Sequence, residues 1–378
     1  MSISIKINET LSTISATEWN LLAGNQFPFI QYEFLIALEN HGAVGKEFGW
    51  LPHYFLAYED EHLIGAIPAY IKFNSYGEFV FDWAWADAYQ RSNLRYYPKL
   101  VTSIPYTPAT GPRILVNEDK RYKEIADILI QAILSFSTKM NISSYHCLFT
   151  NNKDTAYFAE SENFMMRLGC QFHWTNQNYK DFPDYLDQLT SKKRKQIKRE
   201  RRIVKEQGIE FEILNGHSAT DEHWEIYHRF YESTFERKSG MPTLSKSFFQ
   251  EIAQTMSENI VLVFAKYQDE YVASAFNLRG TDALYGRHWG CSEDFDNLHF
   301  EACYYQGLEY CINNGLKYFE PGAQGEHKIA RGFLPTKTWS AHWIAHPQFK
   351  QSIEHFLKHE TEGILQYIED LNQHSPFK

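Results

Sequence analysis

Apolar and polar positions fall into the same order twice along this chain. His53-Tyr54-Phe55-Leu56-Ala57-Tyr58 meets an acidic turn, Glu59-Asp60-Glu61, and continues as His62-Leu63-Ile64-Gly65-Ala66-Ile67-Pro68-Ala69-Tyr70. Val261-Leu262-Val263-Phe264-Ala265-Lys266-Tyr267 meets Gln268-Asp269-Glu270 and continues as Tyr271-Val272-Ala273-Ser274-Ala275-Phe276-Asn277-Leu278. Apolar arms around a short polar turn predict a β-hairpin in each place. Helix-like stretches precede them, Gln31 to Asn40 and Ser245 to Met256, and longer ones follow. Arg121 to Met140 puts Ile125, Ile128, Leu129, Ala132, Ile133 and Phe136 on one stripe. His299 to Asn314 does so with Phe300, Cys303, Tyr304, Leu308, Cys311 and Ile312, and Gly315 stands at the C-cap. A strand is expected after each, Ser144 to Phe149 and Lys317 to Pro321. Ala57 and Ala265 stand 208 residues apart. The repeat predicts an internal duplication and an α/β (α+β) chain with mixed sheets.

The join falls near residues 174–190, where Asn176, Asn178, Asp181, Pro183 and Asp184 cluster. Two domains are expected, 1–175 and 176–378, with the last helix packing back on the first. A chain of 378 residues exceeds the size at which a single core usually keeps growing. Thr190 or Ser191 can cap the next helix, about 191–207, which Gly208 stops, and Ile209-Glu210-Phe211-Glu212-Ile213 alternates as a strand.

That helix changes the picture of charge. The chain carries a net charge of −10, which disfavours general adhesion to nucleic acid or anionic membrane. Yet Ser191 to Arg202 holds eight basic residues and one acid, with only Leu189, Ile197 and Val204 as an apolar seam. Lys192, Lys193, Arg194, Lys195, Lys198 and Arg199 are therefore candidates for phosphate contact; the plain alternative is a solvated face neutralised by neighbouring acids. Five cysteines at odd spacings fit reduced thiols in the cytosol. The first residues lack a basic region followed by an apolar core, and no apolar run approaches a membrane span, so a cytoplasmic protein is expected.

Candidate chemistry centres on Gly322-Ala323-Gln324-Gly325-Glu326-His327-Lys328-Ile329-Ala330-Arg331-Gly332-Phe333, after a predicted strand end, where ligands of α/β sheets usually sit. Glu326 and His327 are general-base types; Lys328 and Arg331 suit a phosphate or carboxylate. A tight turn with an exposed ion pair is the alternative. In the first half, Phe81-Asp82-Trp83-Ala84-Trp85-Ala86-Asp87-Ala88-Tyr89 alternates at period two, which puts Asp82 on one strand face and Trp83 with Trp85 on the other. Asp82, Asp87, Lys99 and Arg113 are candidate substrate-binding residues there, a buried strand before a Pro-fixed loop being the structural alternative. Gly286-Arg287-His288-Trp289-Gly290-Cys291 reads as a strand with small residues set against a ligand or neighbouring backbone, which makes Arg287 and His288 candidates, although a histidine there is more often a core residue. Glu301 starts a helix, where the dipole stabilises a carboxylate. No HExxH, CxxC, GxSxG or GxxxxGK[ST] pattern is present, and no metal or tightly bound cofactor is expected.

The basic run ending in Gly208-Ile209 resembles the start of the second GNAT-like domain of Fem-type acyltransferases. Asp82 to Tyr89, Tyr96-Tyr97-Pro98-Lys99, Thr107 to Arg113, His299 to Tyr305 and Gly325-Glu326-His327-Lys328 resemble a bacterial Fem-like family of GNAT N-acyltransferases, the peptidoglycan biosynthesis/recognition type. The resemblance covers nearly the whole chain. It implies two tandem GNAT-like domains and transfer of an acyl or aminoacyl group from acyl-CoA or aminoacyl-tRNA to a primary amine, such as that of a peptidoglycan precursor. Glu326, His327 and Glu301 would carry the chemistry, in the cleft between the domains. The sequence departs from the acetyl-CoA pattern in lacking an R/Q-x-x-G-x-G/A loop, and from some Fem enzymes in lacking a long coiled-coil insertion. A non-catalytic module recognising cell-wall precursor or nucleic acid, and an acyl-CoA-dependent transferase on a small metabolite, are the alternatives.

Overall fold

Both hairpins form, and they turn in the same way. Glu59 pairs with His62 and Tyr267 with Glu270, leaving the two-residue loops Asp60-Glu61 and Gln268-Asp269. All four loop residues have positive φ, between 47° and 68°. That is the signature of the type I′ turn, whose twist matches that of paired strands. The structure, a computed structural model, describes residues 3–117, 119–237, 240–293, 295–323 and 325–378. It divides into Met1–Cys170 with Lys337–Tyr367, the first unit, and Gln171–Thr336 with Ile368–Lys378, the second.

In the first unit the strands are β1 (Ile3–Asn8), β2 (Trp50–Glu59), β3 (His62–Lys72), β4 (Lys99–Thr102), the short β5 (Leu115–Val116) and β6 (Ser144–Leu148). They pair in the order β1-β2-β3-β4-β6, with β5 also on β3; β4 and β6 run parallel and the rest antiparallel. The helix Tyr122–Lys139 buries Ile125, Leu129 and Ile133 against β2 and β3. It sits so close that a Cβ on Gly65 would lie 2.5 Å from Ile125 Cγ2.

The second unit is built from β7 (Met165–Thr175, from Gln171 onward), β8 (Ile209–Leu214), β9 (Ile260–Tyr267), β10 (Glu270–Arg279), β11 (Ala283–Cys291) and β12 (Tyr318–Glu320). Their order is β7-β12-β11-β10-β9-β8, and only β11 and β12 are parallel. From Lys337 onward β13 (Leu334–Ile344) belongs to the first unit, antiparallel to β6. Each unit is thus a mixed sheet flanked by helices, the α/β class expected.

Two local expectations are corrected. Asp82 to Tyr89 is not an alternating strand: Trp83–Arg91 is a helix with Asp82 at its N-cap position. Ala84, Ala86 and Ala88 favour that state, and Trp85 with Tyr89 makes an i, i+4 buried pair while Trp83 stays exposed. The stretch 299–314 is a helix interrupted by a π turn, Glu301–Tyr305, between Leu298–Phe300 and Gln306–Asn313. Such turns recur at functional sites.

Two glycines test this packing in opposite directions. A Cβ on Gly290 would lie 2.0 Å from the backbone oxygen of Phe230, whereas Gly363, on the last helix Pro347–Asn372, faces open space. Gly290→Ala should lower the melting temperature, and Gly363→Ala should stabilise by roughly 0.5–1 kcal/mol in denaturant titrations.

Candidate functional site

The parallel ladder of β11 and β12 is short. It joins only Ala283–Tyr285 to Tyr318–Glu320. Beyond Glu320 the chain leaves the sheet at Pro321, while β11 runs on to Cys291, so the two diverge. Gly286 lets them part at close range, since a Cβ there would meet Pro321 Cα at 3.2 Å. On the other edge of β11 the pairing steps from Asn277–Gly286 to Phe276–His288. Arg287 is therefore the extra residue of a β-bulge, a device that re-aims a side chain beside many active sites.

The segment after β12 folds back as a two-turn 3₁₀ helix, Glu326–Arg331. Gly322, Gly325 and Gly332, with φ of 95°, 122° and 88°, supply its turns; Gln324 lies outside the described residues. Lys328 is buried and its Nζ donates to the Gly322 carbonyl at 2.8 Å. Burial lowers its pKa to about 8. His327 is exposed, with Nε2 2.9 Å from the Tyr304 hydroxyl. Burial, then the charges of Arg331 and Lys328, depress its pKa, so the ring is neutral near pH 7. Arg331 is buried; its Nη2 donates to both oxygens of Glu200 at 2.9 and 3.0 Å, its Nη1 donates to the His327 carbonyl at 2.7 Å, and it lies 3.5 Å over the Phe300 ring. Glu326 is exposed at the start of the same turn.

Sequence reasoning missed the group that joins these residues to Arg287. His173, on β7, has Nε2 3.0 Å from Gln171 Oε1 and 3.9 Å from Glu320 Oε2. Burial, and then the charge of Lys328, push its pKa down to about 3. Glu320 in turn favours the charge of Arg287, whose pKa burial lowers to about 10. Arg287, Glu320, His173 and Lys328 thus form one electrostatic cluster where β11 and β12 part. His288 points elsewhere, its ring edge-on to Tyr231 at 4.9 Å. Burial holds that histidine neutral as well.

The basic helix, Ser191–Glu206, has two unlike sides. Ile197, Glu200 and Val204 are buried. Lys192, Lys195, Lys198 and Arg199 are exposed and Lys193 is half-buried; none of these five forms an ion pair with a described residue. Arg194 reaches Asp187 at 3.0 Å. Glu301, expected near the chemistry, is instead buried in the π turn and held by Arg201 at 3.0 Å, which also reaches Glu309. Its place is against the inner side of the basic helix.

In the first unit the structure brings Asp82 and Lys99 together and sets Asp87 and Arg113 apart. Lys99 Nζ lies 2.5 Å from Asp82 and 2.8 Å from both Glu78 and Ser75, all buried. Burial opposes the ionised Asp82, but Lys99 and His146 outweigh it and its pKa falls to about 2. The Tyr96 hydroxyl donates to Asp82 at 2.5 Å and lies 3.1 Å from His146 Nε2. His146 and His342 share a proton between their Nδ1 atoms at 2.7 Å. Asp87 makes an exposed i, i+4 pair with Arg91 at 2.9 Å, worth little. Arg113 is fully buried and donates to the carbonyls of Leu148, Pro112 and Ala109. Its guanidinium braces the loop rather than facing a ligand. No cluster of His, Cys, Asp or Glu among the described residues could hold a metal, and none of their helices is long and apolar enough to cross a membrane.

These mixed sheets with flanking helices place the chain in a fold class shared with several solved structures. FemX aligns with a TM-score of 0.53 at 11% identity, over 90% of this chain and 98% of FemX. The C-terminal domain of a putative lysylphosphatidylglycerol synthetase from Agrobacterium fabrum gives 0.56 at 7% identity, over 90% of this chain and 95% of that one. L-PGS from Bacillus licheniformis gives 0.53 at 10%, over 86% and 93%. At such identities the likeness is one of fold. The chain matches the FemAB-like family, described as peptidoglycan biosynthesis/recognition, over residues 10–378, and belongs to it. Among curated proteins, none matches significantly.

Four histidines buried in the neutral state give this fold an acid limit. His146 and His173 have pKa values of about 3, and burial places His288 and His342 well below the ordinary value. Between about 6.5, the ordinary histidine value, and 3 the unfolded chain binds more protons, so stability is lost as pH falls through that window. Melting temperature should decline from pH 6.5 to 5, before most carboxylates titrate, and His146→Gln should flatten the decline. A wild-type melting temperature constant over this range would contradict the assignment.

Proposed function

We propose that this chain transfers an acyl or aminoacyl group from an activated, carrier-linked donor to a primary amine, in the setting of peptidoglycan precursor modification. Membership of the FemAB-like family supports the transferase class and the cell-wall setting. The observation that carries the reading is the turn after β12, where a neutral exposed imidazole, His327, adjoins a buried ammonium, Lys328. In acyl transfer the amine attacks the carbonyl carbon, the oxygen gains charge, and the nitrogen must lose a proton before the carrier leaves. His327 accepts that proton through whichever ring nitrogen the Tyr304 hydroxyl leaves as acceptor. Lys328, with one proton on Gly322, has two more to direct at the developing oxyanion or at a donor phosphate. Arg287 holds an anionic group of the substrate at the bulge, with Glu320 and His173 fixing its surroundings. Glu326, at the rim, serves as a second proton acceptor for solvent exchange.

The basic helix favours a transfer-RNA carrier over coenzyme A. Its cations from Lys192 to Arg199, five of them without an ion pair to a described residue, form with exposed Arg202 and Lys205 beyond them a row about 20 Å long at 1.5 Å per residue. A row of that length suits successive phosphates of a nucleic acid better than one pyrophosphate.

With aminoacyl-tRNA as donor and a peptidoglycan precursor as acceptor, Lys328→Met should lower turnover on the order of 100-fold while the fold is retained. The wild-type rate should fall as pH rises through about 8, where Lys328 loses its charge. Replacing Lys192, Lys195 and Lys198 by Glu should weaken tRNA binding and reduce its dependence on salt by about three phosphate contacts. Wild-type turnover in Lys328→Met would remove the catalytic assignment. Saturable precursor binding without product would instead indicate a recognition module, and turnover with acyl-CoA but not tRNA a small-metabolite transferase.

A further inference from the structure

The one acid within the basic run faces opposite to its neighbours. Glu200 lies on the buried seam with Ile197 and Val204. Its two oxygens both accept from the single Nη2 of Arg331, at 2.9 and 3.0 Å, and it also accepts from the hydroxyl of Tyr305 and from the Gln196 amide at 2.9 Å. Arg331 in turn donates to the His327 carbonyl, and its own carbonyl accepts from the Tyr185 hydroxyl at 2.7 Å. Two hydrogen bonds through one side chain therefore connect the basic helix to the backbone of the residue that carries the imidazole. Next to Glu200, Arg201 ties the same helix to Glu301 and Glu309 and stacks 4.5 Å over Phe182. The helix is clamped along its inner side to the π turn and to the Glu326–Arg331 turn, while Lys192, Lys193, Lys195, Lys198 and Arg199 form no ion pair with a described residue.

We propose that the Glu200–Arg331 pair couples occupancy of the outer basic face to the geometry of the Glu326–Arg331 turn, with Glu200 a positioning residue for His327 and Lys328. The proposal rests on the reading of that face as the site of a polyanionic carrier. A helix is stiff over one turn, so phosphates drawing on Lys195, Lys198 and Arg199 displace or immobilise the Glu200 carboxylate between them. A charge-assisted hydrogen bond is short and strong, and a buried charge left without its partner is strongly disfavoured. The pair thus moves as one piece, and Arg331 carries the shift to the His327 carbonyl. An apolar contact at this place would slide; a planar guanidinium with Nη2 on Glu200 and Nη1 on the His327 carbonyl fixes orientation. Coupling of this kind is reciprocal, so order in the turn also favours carrier binding.

The test is amide hydrogen exchange of residues 326–332 in the full-length protein, with and without uncharged total tRNA. In the wild type, tRNA should slow exchange there by about tenfold, within the usual range of coupling between sites. Glu200→Gln, which keeps the shape and removes the charge, should abolish that slowing while the dissociation constant for tRNA changes by less than about threefold. A merely structural role would alter exchange equally with and without tRNA. Slowing retained in Glu200→Gln would overturn the coupling and leave the carrier reading standing. Failure of tRNA to bind the wild type would overturn both. Should Glu200→Gln not fold, Arg331→Lys, which keeps the charge and loses the planar group that bridges Glu200 to the His327 carbonyl, is read in the same way: loss of the response supports the coupling and its retention overturns it.

Discussion

A parallel strand pair that ends after three residues is the constraint on which the second unit's candidate site depends. Had β12 continued beside β11, backbone ladder bonds would fill the space now taken by Pro321 and the turn after it. Because the pair stops at Glu320, β11 presents a free flank from Gly286 onward, and its bulge at Arg287 turns a cation where regular pleating would not. The glycines at 322, 325 and 332 then bring the chain back within reach of its own strand. Lys328 is buried by that return and bonded to the carbonyl six residues before it. Its weakened basicity follows from burial.

The two units handle buried charge differently. In the first, Lys99, Glu78 and Asp82 neutralise one another, and Tyr96, His146 and His342 extend the network by hydrogen bonds. Glu78 Oε1 and Asp82 Oδ1 nonetheless have no hydrogen-bond partner. In the second, charge is divided between the buried Glu200–Arg331 pair and a looser group of half-buried Arg287 and Glu320 with buried Lys328, beside the neutral ring of His173. The first arrangement is closed upon itself. The second leaves protons of Lys328 uncommitted, which is what a site for an anionic ligand requires.

Much of this was legible in the sequence because it is local. The hairpins, the stripe of Ile125, Leu129 and Ile133, and the stop at Gly208 follow from spacing and turn chemistry. Asp82 to Tyr89 misled because alternation of Trp with Ala and Asp imitates a strand; the buried pair Trp85 and Tyr89 was the helical signal within it. His173 and Gln171 could not be found, since they come to Glu320 through pairing of strands more than 140 residues apart. The bulge at Arg287 leaves no mark in composition. Glu200 did leave one: a single acid among eight cations, at i+3 from Ile197 and four before Val204, belongs to the apolar seam and must find a buried partner. Which partner, only the fold decides.

The unpaired face of the basic helix has a consequence for how a partner arrives. The whole chain carries a charge of −10, so a polyanion approaching from a distance is repelled over most of the surface. The basic helix is a local exception to that sign. For a carrier of the proposed polyanionic kind, that contrast would favour approach with the basic helix foremost. Dilute salt lengthens the reach of this steering and concentrated salt abolishes it, so encounter rates would respond to ionic strength well before the bound complex loses its grip.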